Sequence, residues 1–402
     1  MPASVPSQPR YNHTGMTEPT VTISSRGEDR VRSGHLWVYR SDVAGARATG
    51  GDTVRVEGAH GRPFGHALFS DRSQIALRML ATDDRPADLS LWRDRLRAAV
   101  RFRDSLHIDA TAYRLVNGEG DLLPSFIVDR YGDHLVVQAL SLAVDRLLPD
   151  LTRLLVEEVQ PRSILARNDV RVRTLEGLAT SVEALHGEVP ESIPVREADV
   201  EYDVDLWHGQ KTGLFLDQRE NREAAATYAH GRLLDAFSYN GAFALRLGRR
   251  CTEIAAVDIS EDAVARIRGN AARNRMAVDA RVANVFDELR RLEREGEHFD
   301  TIVLDPPAFA KNRASVPRAL AGYKEINLRA LKLLSPGGYL VTCSCSYHVD
   351  EAMLGQLVYE AAQDARVPVG VVEKRMQGRD HPVLLGVPET YYLKCFILRR
   401  LA

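Results

Sequence analysis

The spacing of apolar residues changes character twice along the chain, near residues 90 and 200. Residues 20–90 carry short alternating runs, among them TVTIS, DTVRVEG and QIALRML, separated by glycine-containing turns. Alternation with a period of two is typical of half-buried β-strands. Several short strands between turn signals predict a small barrel or sandwich in this part of the chain.

Residues 91–197 combine helical and strand patterns. The segment LSLWRDRLRAAVRFRDSL repeats leucine and valine at the spacing of one helical face, with arginines elsewhere. SFIVDRY and HLVVQAL have the pattern of strands, and DRLLPDLTRLLVEEV has that of a second helix. Two prolines in VPESIPV close this region, which we predict to be a mixed α/β central domain.

Residues 198–402 alternate between strand and helix patterns. The short apolar runs RLLDAF, EIAAVDI, ARVANV, DTIVLD and GYLVTCS are separated by helical segments such as EDAVARIRGNAARN. Strands that alternate with crossover helices predict a mostly parallel, doubly wound sheet with right-handed connections. The final runs, VGVVEKR and YYLKCFILRR, have little helix between them and predict an antiparallel edge.

Length, charge and cysteine content narrow the class of protein. A chain of 402 residues is longer than one hydrophobic core usually accommodates, so we expect two or three domains. A content of 45% apolar and 27% charged residues is ordinary for a globular protein. The 53 basic and 55 acidic side chains give a formal net charge of −2, so binding to a polyanion would need a local basic patch. Four cysteines fit neither a disulfide framework nor paired CxxC zinc spacing, which predicts a reducing cytoplasm and no metal site.

The sequence gives no membrane or secretion signal. No apolar run approaches the roughly 20 residues of a membrane-spanning helix. The start, MPASVPSQPRYNHTGMTEP, lacks the apolar segment of a signal peptide. We therefore expect residues 1–19 to form a disordered tail.

Polar residues at the carboxyl ends of the predicted parallel strands are candidate ligand contacts, because open α/β sheets bind ligands there. Asp235 leads into the loop FSYNG, whose single glycine cannot form a GxGxxG phosphate cradle. An acid beside an aromatic loop instead suits a cationic cofactor without phosphate, such as S-adenosyl-L-methionine. Asp258, ending the second strand, could accept hydrogen bonds from a ribose diol, although either acid alone could be a turn or helix-cap residue.

The later strands end in Asn284, Asp305 and Cys345. Asp305 precedes two prolines that stop its strand and would hold the carboxylate at the pocket mouth, with a plain strand-ending turn as the alternative. By the period of two, Cys343 and Cys345 share one face with Val341. A strand cysteine is usually a small buried hydrophobe. Because the strand of Cys345 adjoins that of Asp305, thiol and carboxylate could meet over one substrate, so we predict a catalytic Cys345 and a buried Cys343.

These motifs together resemble those of the PUA-domain-containing, RlmI-type methyltransferases of large-subunit rRNA, which methylate cytosine at C5. GHLWVYRSDV is similar to their RNA-binding barrel, YRLVNGEGDLLPSFIVDRYGDHLVVQ to their central domain, and KTGLFLDQRENR to the opening of the catalytic domain. LLDAFSYNGAFAL, NVFDEL and VLDPPAFAK resemble the cofactor and substrate motifs. The resemblance implies a PUA-like domain at 20–90, a central α/β domain at 91–197 and a Rossmann-like class I methyltransferase domain at 198–402.

The resemblance also assigns roles to the candidate residues. In related cytosine-C5 enzymes a Cys-Ser pair precedes an acidic pair, and the match of Cys345 with Asp350 selects Cys345 as the nucleophile that adds to C6. Asp305 would hold or donate a proton at N3, which near neutral pH requires a pKa raised by burial. The cofactor-binding residues that the resemblance implies are Asp235, Phe237, Tyr239, Gly241, Asp258, Ile259, Asn284, Asp305 and Gln218.

Three details of this assignment stay open. The cofactor loop has one glycine where relatives often have two. Asn284 stands where methyltransferases commonly have an acid, so its donor and acceptor roles are undecided. Gln218 and Arg219 in LDQRENR could border the cofactor or the target nucleotide, or the segment could be a plain helix start capped by Asp217.

The expected partner is RNA, contacted through the N-terminal domain. Basic and aromatic side chains interleave there, as backbone tracking and base stacking require: Arg26, Arg30, Arg32, His35, Trp37 and Arg40. A solvated barrel face explains the same pattern nearly as well. A homodimer is a further expectation that the sequence does not decide.

Other functions compete with cytosine-C5 methylation. A methyltransferase acting on a nitrogen, such as that of a guanine in rRNA, would have no use for the thiol of Cys345. A non-catalytic rRNA assembly factor is disfavoured by the complete set of candidate residues, and an NAD-linked oxidoreductase by the missing glycine fingerprint. The sequence identifies neither the target nucleotide, nor the base that removes the C5 proton, nor whether naked rRNA or an assembly intermediate is the substrate.

Overall fold

The computed structural model describes residues 18–310 and 312–402, so positions 1–17 of the predicted tail lie outside the described residues. The described residues form two compact units. The first unit contains the residues up to His107, together with Arg114–Val189 and Pro382–Thr390. The second unit contains Ile108–Tyr113, Pro190–His381 and Tyr391–Ala402.

The first unit begins with a six-stranded sheet in the order β2-β6-β5-β4-β1-β3. Alternating burial, as in β4, puts every second side chain into the core, which includes Val54, Val56 and Leu77. The predicted short strands between turns are confirmed. The elements are β1 (Thr20–Ile23), α1 (Ser25–Arg32), β2 (Trp37–Tyr39), β3 (Val43–Arg47), β4 (Thr53–Glu57), β5 (Pro63–Phe69) and β6 (Ile75–Ala81).

A five-stranded sheet follows, in the order β11-β10-β9-β8-β7. The two long helices beside it start where sequence chemistry predicts, because the side chains of Asp88 and Ser141 accept hydrogen bonds from the first-turn amides. The elements are α2 (Leu89–Ser105), β7 (Ala112–Asn117), β8 (Phe126–Tyr131), β9 (His134–Ala139), α3 (Leu142–Val159), β10 (Ser163–Arg167), α4 (Val172–Leu175) and β11 (Val182–His186).

The second unit opens with a hairpin of β12 (Ser192–Glu197) and β13 (Val200–Asp205). The sequence boundary at residue 197 would separate these two strands, whereas their hydrogen-bonded pairing keeps them together in this unit. Leu206, after the hairpin, is fully buried.

A seven-stranded sheet forms the centre of the second unit, in the order β16-β15-β14-β17-β18-β20-β19. Neighbours from β16 to β18 run parallel, and β20 runs antiparallel to both of its neighbours, as the sequence predicts. The elements are α5 (Arg219–Tyr228), β14 (Arg232–Ala236), α6 (Ala242–Gly248), β15 (Glu253–Asp258), α7 (Glu261–Arg273), β16 (Asp279–Val282), α8 (Val285–Glu295), β17 (Phe299–Leu304), α9 (Val316–Leu333), β18 (Leu334–Ser344), α10 (Glu351–Ala365), β19 (Val369–Arg375) and β20 (Lys394–Arg400).

Both faces of this sheet are buried, which explains why its strands are almost continuously apolar. Ile302 and Leu304 of β17 pack into the cluster on one face, and Val303 packs into the cluster on the other. The chain leaves β14 toward β15 on one side and later returns to β17 on the other. This reversal of strand order creates a crevice at the carboxyl ends of β14 and β17, where such folds bind ligands.

The described residues contain neither a membrane-spanning helix nor a cluster of metal-binding side chains. Within 18–310 and 312–402, no helix is both long enough and apolar enough to span a bilayer. The same residues contain no group of three or more His, Cys, Asp or Glu side chains arranged to hold a metal ion.

Candidate active site

A cavity of about 370 Å³ lies in the second unit, at the carboxyl ends of the parallel strands. Its walls combine the aromatic rings of Phe215, Phe286 and Phe309 with several polar groups. Eight of the residues that the sequence singles out line it: Gln218, Phe237, Tyr239, Asp258, Ile259, Asn284, Asp305 and Cys345. Asp235 and Gly241 are not among the lining residues.

Asp235 lies beneath the loop that follows β14, where it is 1% exposed. One of its carboxylate oxygens accepts hydrogen bonds from the Ser238 hydroxyl and from the amide of Ala244, 2.9 Å away. The other oxygen is buried and has no hydrogen-bond partner among the described residues. Burial raises the pKa of Asp235 to about 7. The contacts of Asp235 therefore support the loop from below.

The loop itself bends sharply. Phe237 and Tyr239 have φ angles of 65° and 52°, in the left-handed region that costs non-glycine residues free energy. Gly241 has a φ of 84° immediately before α6, and a Cβ there would lie 3.4 Å from Ile267. The single glycine of the loop therefore serves a backbone conformation, whereas the rings of Phe237 and Tyr239 reach the cavity.

Asp258 is held by the backbone on both oxygens. Oδ2 accepts from the Tyr239 amide at 2.9 Å, and Oδ1 accepts from the Ser260 amide at 3.0 Å. A carboxylate oxygen can accept two hydrogen bonds, so each oxygen keeps capacity for a ligand in the cavity. The turn role and the ligand role that the sequence offered for Asp258 are thus compatible.

Asn284 is the N-cap of α8, since its Oδ1 accepts from the Phe286 amide at 3.0 Å. The oxygen keeps a second lone pair and the amide nitrogen carries two donors, so Asn284 can both accept from and donate to a ligand. The neighbouring Ile259 is 67% exposed and provides an apolar surface at the cavity.

A chain of hydrogen bonds orients Gln218 toward Asp305. Arg375 Nε donates to Asn221 Oδ1 at 3.2 Å, and Asn221 Nδ2 donates to Gln218 Oε1 at 2.7 Å. Gln218 Nε2 in turn donates to Asp305 Oδ1 at 2.8 Å. Since a guanidinium can only donate, it fixes the direction of both amides. The structure thus places Gln218 beside Asp305, as well as at the start of α5.

The Asp305 carboxyl group lies half-buried in the cavity wall. Burial, followed by the negative charge of Asp217, raises the pKa of Asp305 to about 6, while the hydrogen bond from Gln218 opposes this shift. Asp305 is therefore poised to exchange a proton near neutral pH.

Cys345 lies one residue beyond the end of β18 and borders the same cavity as Asp305. Its Sγ is 3.9 Å from the carbonyl oxygen of Pro306. Burial, followed by the charge of Asp305, raises the pKa of the Cys345 thiol to about 11. The free protein therefore holds this thiol in its neutral form at pH 7.

Cys343 is fully buried and lies directly opposite Cys395 of β20. It packs with Val341 in the cluster behind the sheet, as the sequence predicts. The hydroxyls of Ser344 and Ser346 both form hydrogen bonds with the Tyr323 hydroxyl, so side chains still alternate past the end of β18, in agreement with the shared face predicted for Cys343 and Cys345.

Sequence reasoning missed Lys211 and misread Asp217. Lys211 lines the cavity, its Nζ lies 4.4 Å from the centre of the Phe215 ring, and it forms an ion pair of 2.7 Å with Asp217. Asp217 also accepts a hydrogen bond from the Tyr392 hydroxyl at 2.8 Å and makes no helix cap, so the capping alternative is wrong. The run KTGLF, in which Lys211 precedes Phe215 by four positions, was the available signal for Lys211.

Arg219, which the sequence placed beside the cofactor or the target nucleotide, forms a buried ion pair with Asp380 at 3.0 Å and does not line the cavity.

The residues expected to contact RNA are largely engaged within the first unit. Arg26 binds Asp42, Arg32 pairs with Glu28 at 2.8 Å, and Arg40 donates to the carbonyls of Ser70 and Ser73. Arg30 lies 4.7 Å from the Tyr39 ring centre, His35 contacts Glu389 at 3.2 Å, and Trp37 donates to Glu119 at 3.0 Å. Their first role is thus to hold this unit together.

Comparison with known proteins agrees with this geometry. Residues 21–82 match the PUA-like domain family, and residues 154–387 match the S-adenosylmethionine-dependent methyltransferase family. The protein named Ribosomal RNA large subunit methyltransferase I from Shewanella frigidimarina is 37% identical over 91% of this chain and 95% of its own length. Its namesake from Erwinia tasmaniensis is 37% identical over 96% of this chain and 100% of its own length.

Solved structures share the fold. SMU.776, described as a methyltransferase and crystallised with SAH, has a TM-score of 0.83 at 20% identity, covering 94% of this chain and 99% of its own. A Streptococcus mutans protein described as SAM-dependent gives 0.81 at 19% identity, with the same coverage. The predicted PUA-like and Rossmann-like architecture is therefore confirmed. This chain combines a PUA-like domain with an S-adenosylmethionine-dependent methyltransferase domain, and it belongs to the ribosomal RNA large subunit methyltransferase I family.

Proposed function

We propose that this protein methylates C5 of a cytosine in large-subunit rRNA through a covalent adduct with Cys345. The observation that supports this proposal is the placement of the Cys345 thiol and the Asp305 carboxyl group at one cavity. A methyltransferase that acts on a lone pair needs no thiol there. A carbon nucleophile as weak as cytosine C5 does need one, because covalent addition divides one difficult reaction into two easier steps.

The cavity residues fit S-adenosylmethionine. Asp258 offers two acceptors for a ribose diol, and Asn284 offers an amide donor for the adenine ring. The aromatic walls and nearby carboxylates favour a cationic centre, and Lys211 carries the opposite charge needed for a carboxylate. When bound, this cofactor supplies an electrophilic methyl group.

Cys345 starts the chemistry as the nucleophile. After a base takes the thiol proton, the Cys345 sulfur forms a bond to C6, and the electron pair of the C5=C6 bond becomes available at C5. Charge that develops on the ring is neutralised when the Asp305 carboxyl group donates a proton to N3. After methyl transfer, a base takes the C5 proton, the S–C6 bond breaks, and N3 returns its proton to Asp305. The ring is thereby restored and the thiolate is released.

Asp305 can fill this role because its pKa is raised to about 6. A carboxyl group with an ordinary pKa near 4 would be protonated in only about one molecule in a thousand at pH 7, against roughly one in ten for Asp305. The shift makes the proton donor available without leaving the group permanently neutral.

Analysis of rRNA from a strain lacking this gene tests the proposal. Mass spectrometry should show one 5-methylcytosine missing from the large-subunit rRNA of that strain. The wild-type gene should restore it, whereas a Cys345→Ala gene should not. Loss of a methylated guanine, or full restoration by Cys345→Ala, would overturn the proposal.

One observation favours a nitrogen-directed methyltransferase as the second candidate. The pKa of the Cys345 thiol is raised to about 11, so the resting site contains little thiolate. In this alternative, Asp305 would accept a hydrogen bond from the target amino group and Cys345 would only fill space. The test above distinguishes the two candidates by the atom that carries the methyl group. The cytoplasmic location and the homodimer stay predictions.

A further inference from the structure

Lys394 is a buried cation to which the chemistry above gives no role. It is the first residue of β20 and lies directly opposite Ser344, the last residue of β18. Its side chain is 2% exposed. The ammonium group donates to the carbonyl oxygens of Ser346 at 2.7 Å and of Tyr392 at 2.9 Å. Lys394 therefore pairs with the residue before Cys345 through its backbone and binds the residue after Cys345 through its ammonium group.

The charge of Lys394 is not balanced by an ion pair. Among the described residues, no carboxylate oxygen lies within 4.0 Å of its ammonium group. Of the acidic groups whose charges act on it, Asp350 is exposed and caps α10, and the other is the Cys345 thiol. An unpaired buried ammonium is costly, so conversion of a neighbouring thiol to a thiolate would relieve that cost.

We propose that Lys394 is the positioning residue that holds the Cys345 turn and stabilises the Cys345 thiolate. This role rests on the proposed function, because Lys394 would favour the thiolate form in which Cys345 acts as the nucleophile. Lys394 acts through Cys345 and needs no contact with the substrate. Burial lowers the pKa of Lys394 to about 8, so it is still mostly charged at pH 7.

The other charges around Cys345 do not replace Lys394. Lys211 favours the thiolate, but it already forms an ion pair of 2.7 Å with Asp217. Asp305 and Asp217 both disfavour the thiolate. The hydroxyl of Tyr323 is hydrogen bonded to Ser344 and Ser346, on either side of Cys345. Lys394 is therefore the cation in this group whose charge has no carboxylate partner among the described residues.

Alkylation of Cys345 by iodoacetamide tests the proposal without RNA or cofactor. The rate is measured from pH 6 to 10 by mass spectrometry of the Cys345 peptide, in a Cys251→Ser background. Lys394→Gln keeps donors for both carbonyls but removes the charge, and Lys394→Arg keeps the charge. The matched control is Lys374→Gln, which changes a lysine of β19 that pairs with Glu351 at 2.9 Å.

We expect Lys394→Gln to slow alkylation about tenfold at pH 7, which corresponds to a thiol pKa about one unit higher. The difference should shrink above pH 8, because wild-type Lys394 then loses its own charge. Lys394→Arg and the control should stay within about twofold of wild type, which a purely structural role would not predict. Lys394→Met, whose apolar chain suits a buried site, is the second uncharged variant and should behave like Lys394→Gln.

Two results would overturn the proposal: an unchanged rate in both uncharged variants, or a slowing that is the same at every pH. Bound S-adenosylmethionine and the thermal unfolding midpoint show whether each variant is folded. Failure of the proposed function is a separate outcome. In that case the alkylation pattern would hold, yet Cys345→Ala would still methylate RNA.

Discussion

At the scale of single residues, environment assigns different roles to three acids of similar sequence context. Asp235, Asp258 and Asp305 each lie within one residue of the carboxyl end of a parallel strand. Asp235 is buried beneath its loop, Asp258 is fixed by two backbone amides, and Asp305 borders the cavity beside Cys345. The sequence shows that acids stand at these positions. Their roles depend on which groups the folded chain brings to them.

Gln218→Leu should shift the pH dependence of methylation. The substitution removes the hydrogen bond to Asp305 Oδ1, which stabilises the carboxylate, so the pKa of Asp305 should rise from about 6 by about one unit. If Asp305 acts as an acid, the limb of kcat/KM that falls as pH rises through this pKa moves upward by the same amount. Gln356→Leu, on the outer surface of α10, is the control. An unmoved profile in Gln218→Leu would contradict the acid role of Asp305.

Asp235→Asn should stabilise the protein more at pH 8 than at pH 4. The folded-state pKa of Asp235 is about 7, above its unfolded value of 3.8. Between these values the folded state binds the extra proton, so the contribution of Asp235 to stability is full below pH 4 and is lost as pH rises toward 7. Asparagine does not titrate. Thermal unfolding of both proteins across this range measures the stability of Asp235→Asn relative to wild type. A relative stability that falls with rising pH would refute the raised pKa of Asp235.

At the scale of elements, alternation of strand and helix patterns predicted the doubly wound sheet, because each crossover helix is visible in the local sequence. The antiparallel edge formed by β20 and the outermost strand β19 was predicted because the sequence shows little helix between the two runs. The chain of hydrogen bonds from Arg375 to Asp305 was not predictable, because its members lie on β19, α5 and the end of β17.

Gly241→Ala should weaken both folding and cofactor binding. Alanine at a φ of 84° costs about 1–2 kcal/mol, and relief of that strain would move the loop that carries Tyr239 into the cavity. We expect a lower midpoint in chemical denaturation and a higher Kd for S-adenosylmethionine. The matched control is Gly269→Ala in α7, where a Cβ meets no atom within 4 Å and helix propensity should raise stability by about 0.5–1 kcal/mol. Equal effects of both substitutions would exclude backbone conformation as the cause.

At the scale of the whole molecule, composition was the least informative property. A formal charge of −2 from 53 basic and 55 acidic residues gives no sign of an RNA substrate. The arginine-rich N-terminal segment suggested RNA contacts, yet Arg26, Arg32 and Arg40 are bound to partners inside the first unit. Charge counts could not separate these possibilities, because pairing is a property of the folded chain. The motifs at the strand ends carried the functional signal.

The covalent adduct between Cys345 and the target cytosine is the central claim, and RNA containing 5-fluorocytidine tests it most directly. Fluorine at C5 cannot leave as a proton does, so the S–C6 bond should persist after methyl transfer. Wild-type protein with S-adenosylmethionine should give a protein–RNA complex that survives denaturing electrophoresis, and Cys251→Ala should give the same complex. Cys345→Ala should give none. A complex that forms without Cys345, or normal methylation of unmodified RNA by Cys345→Ala, would contradict the covalent mechanism.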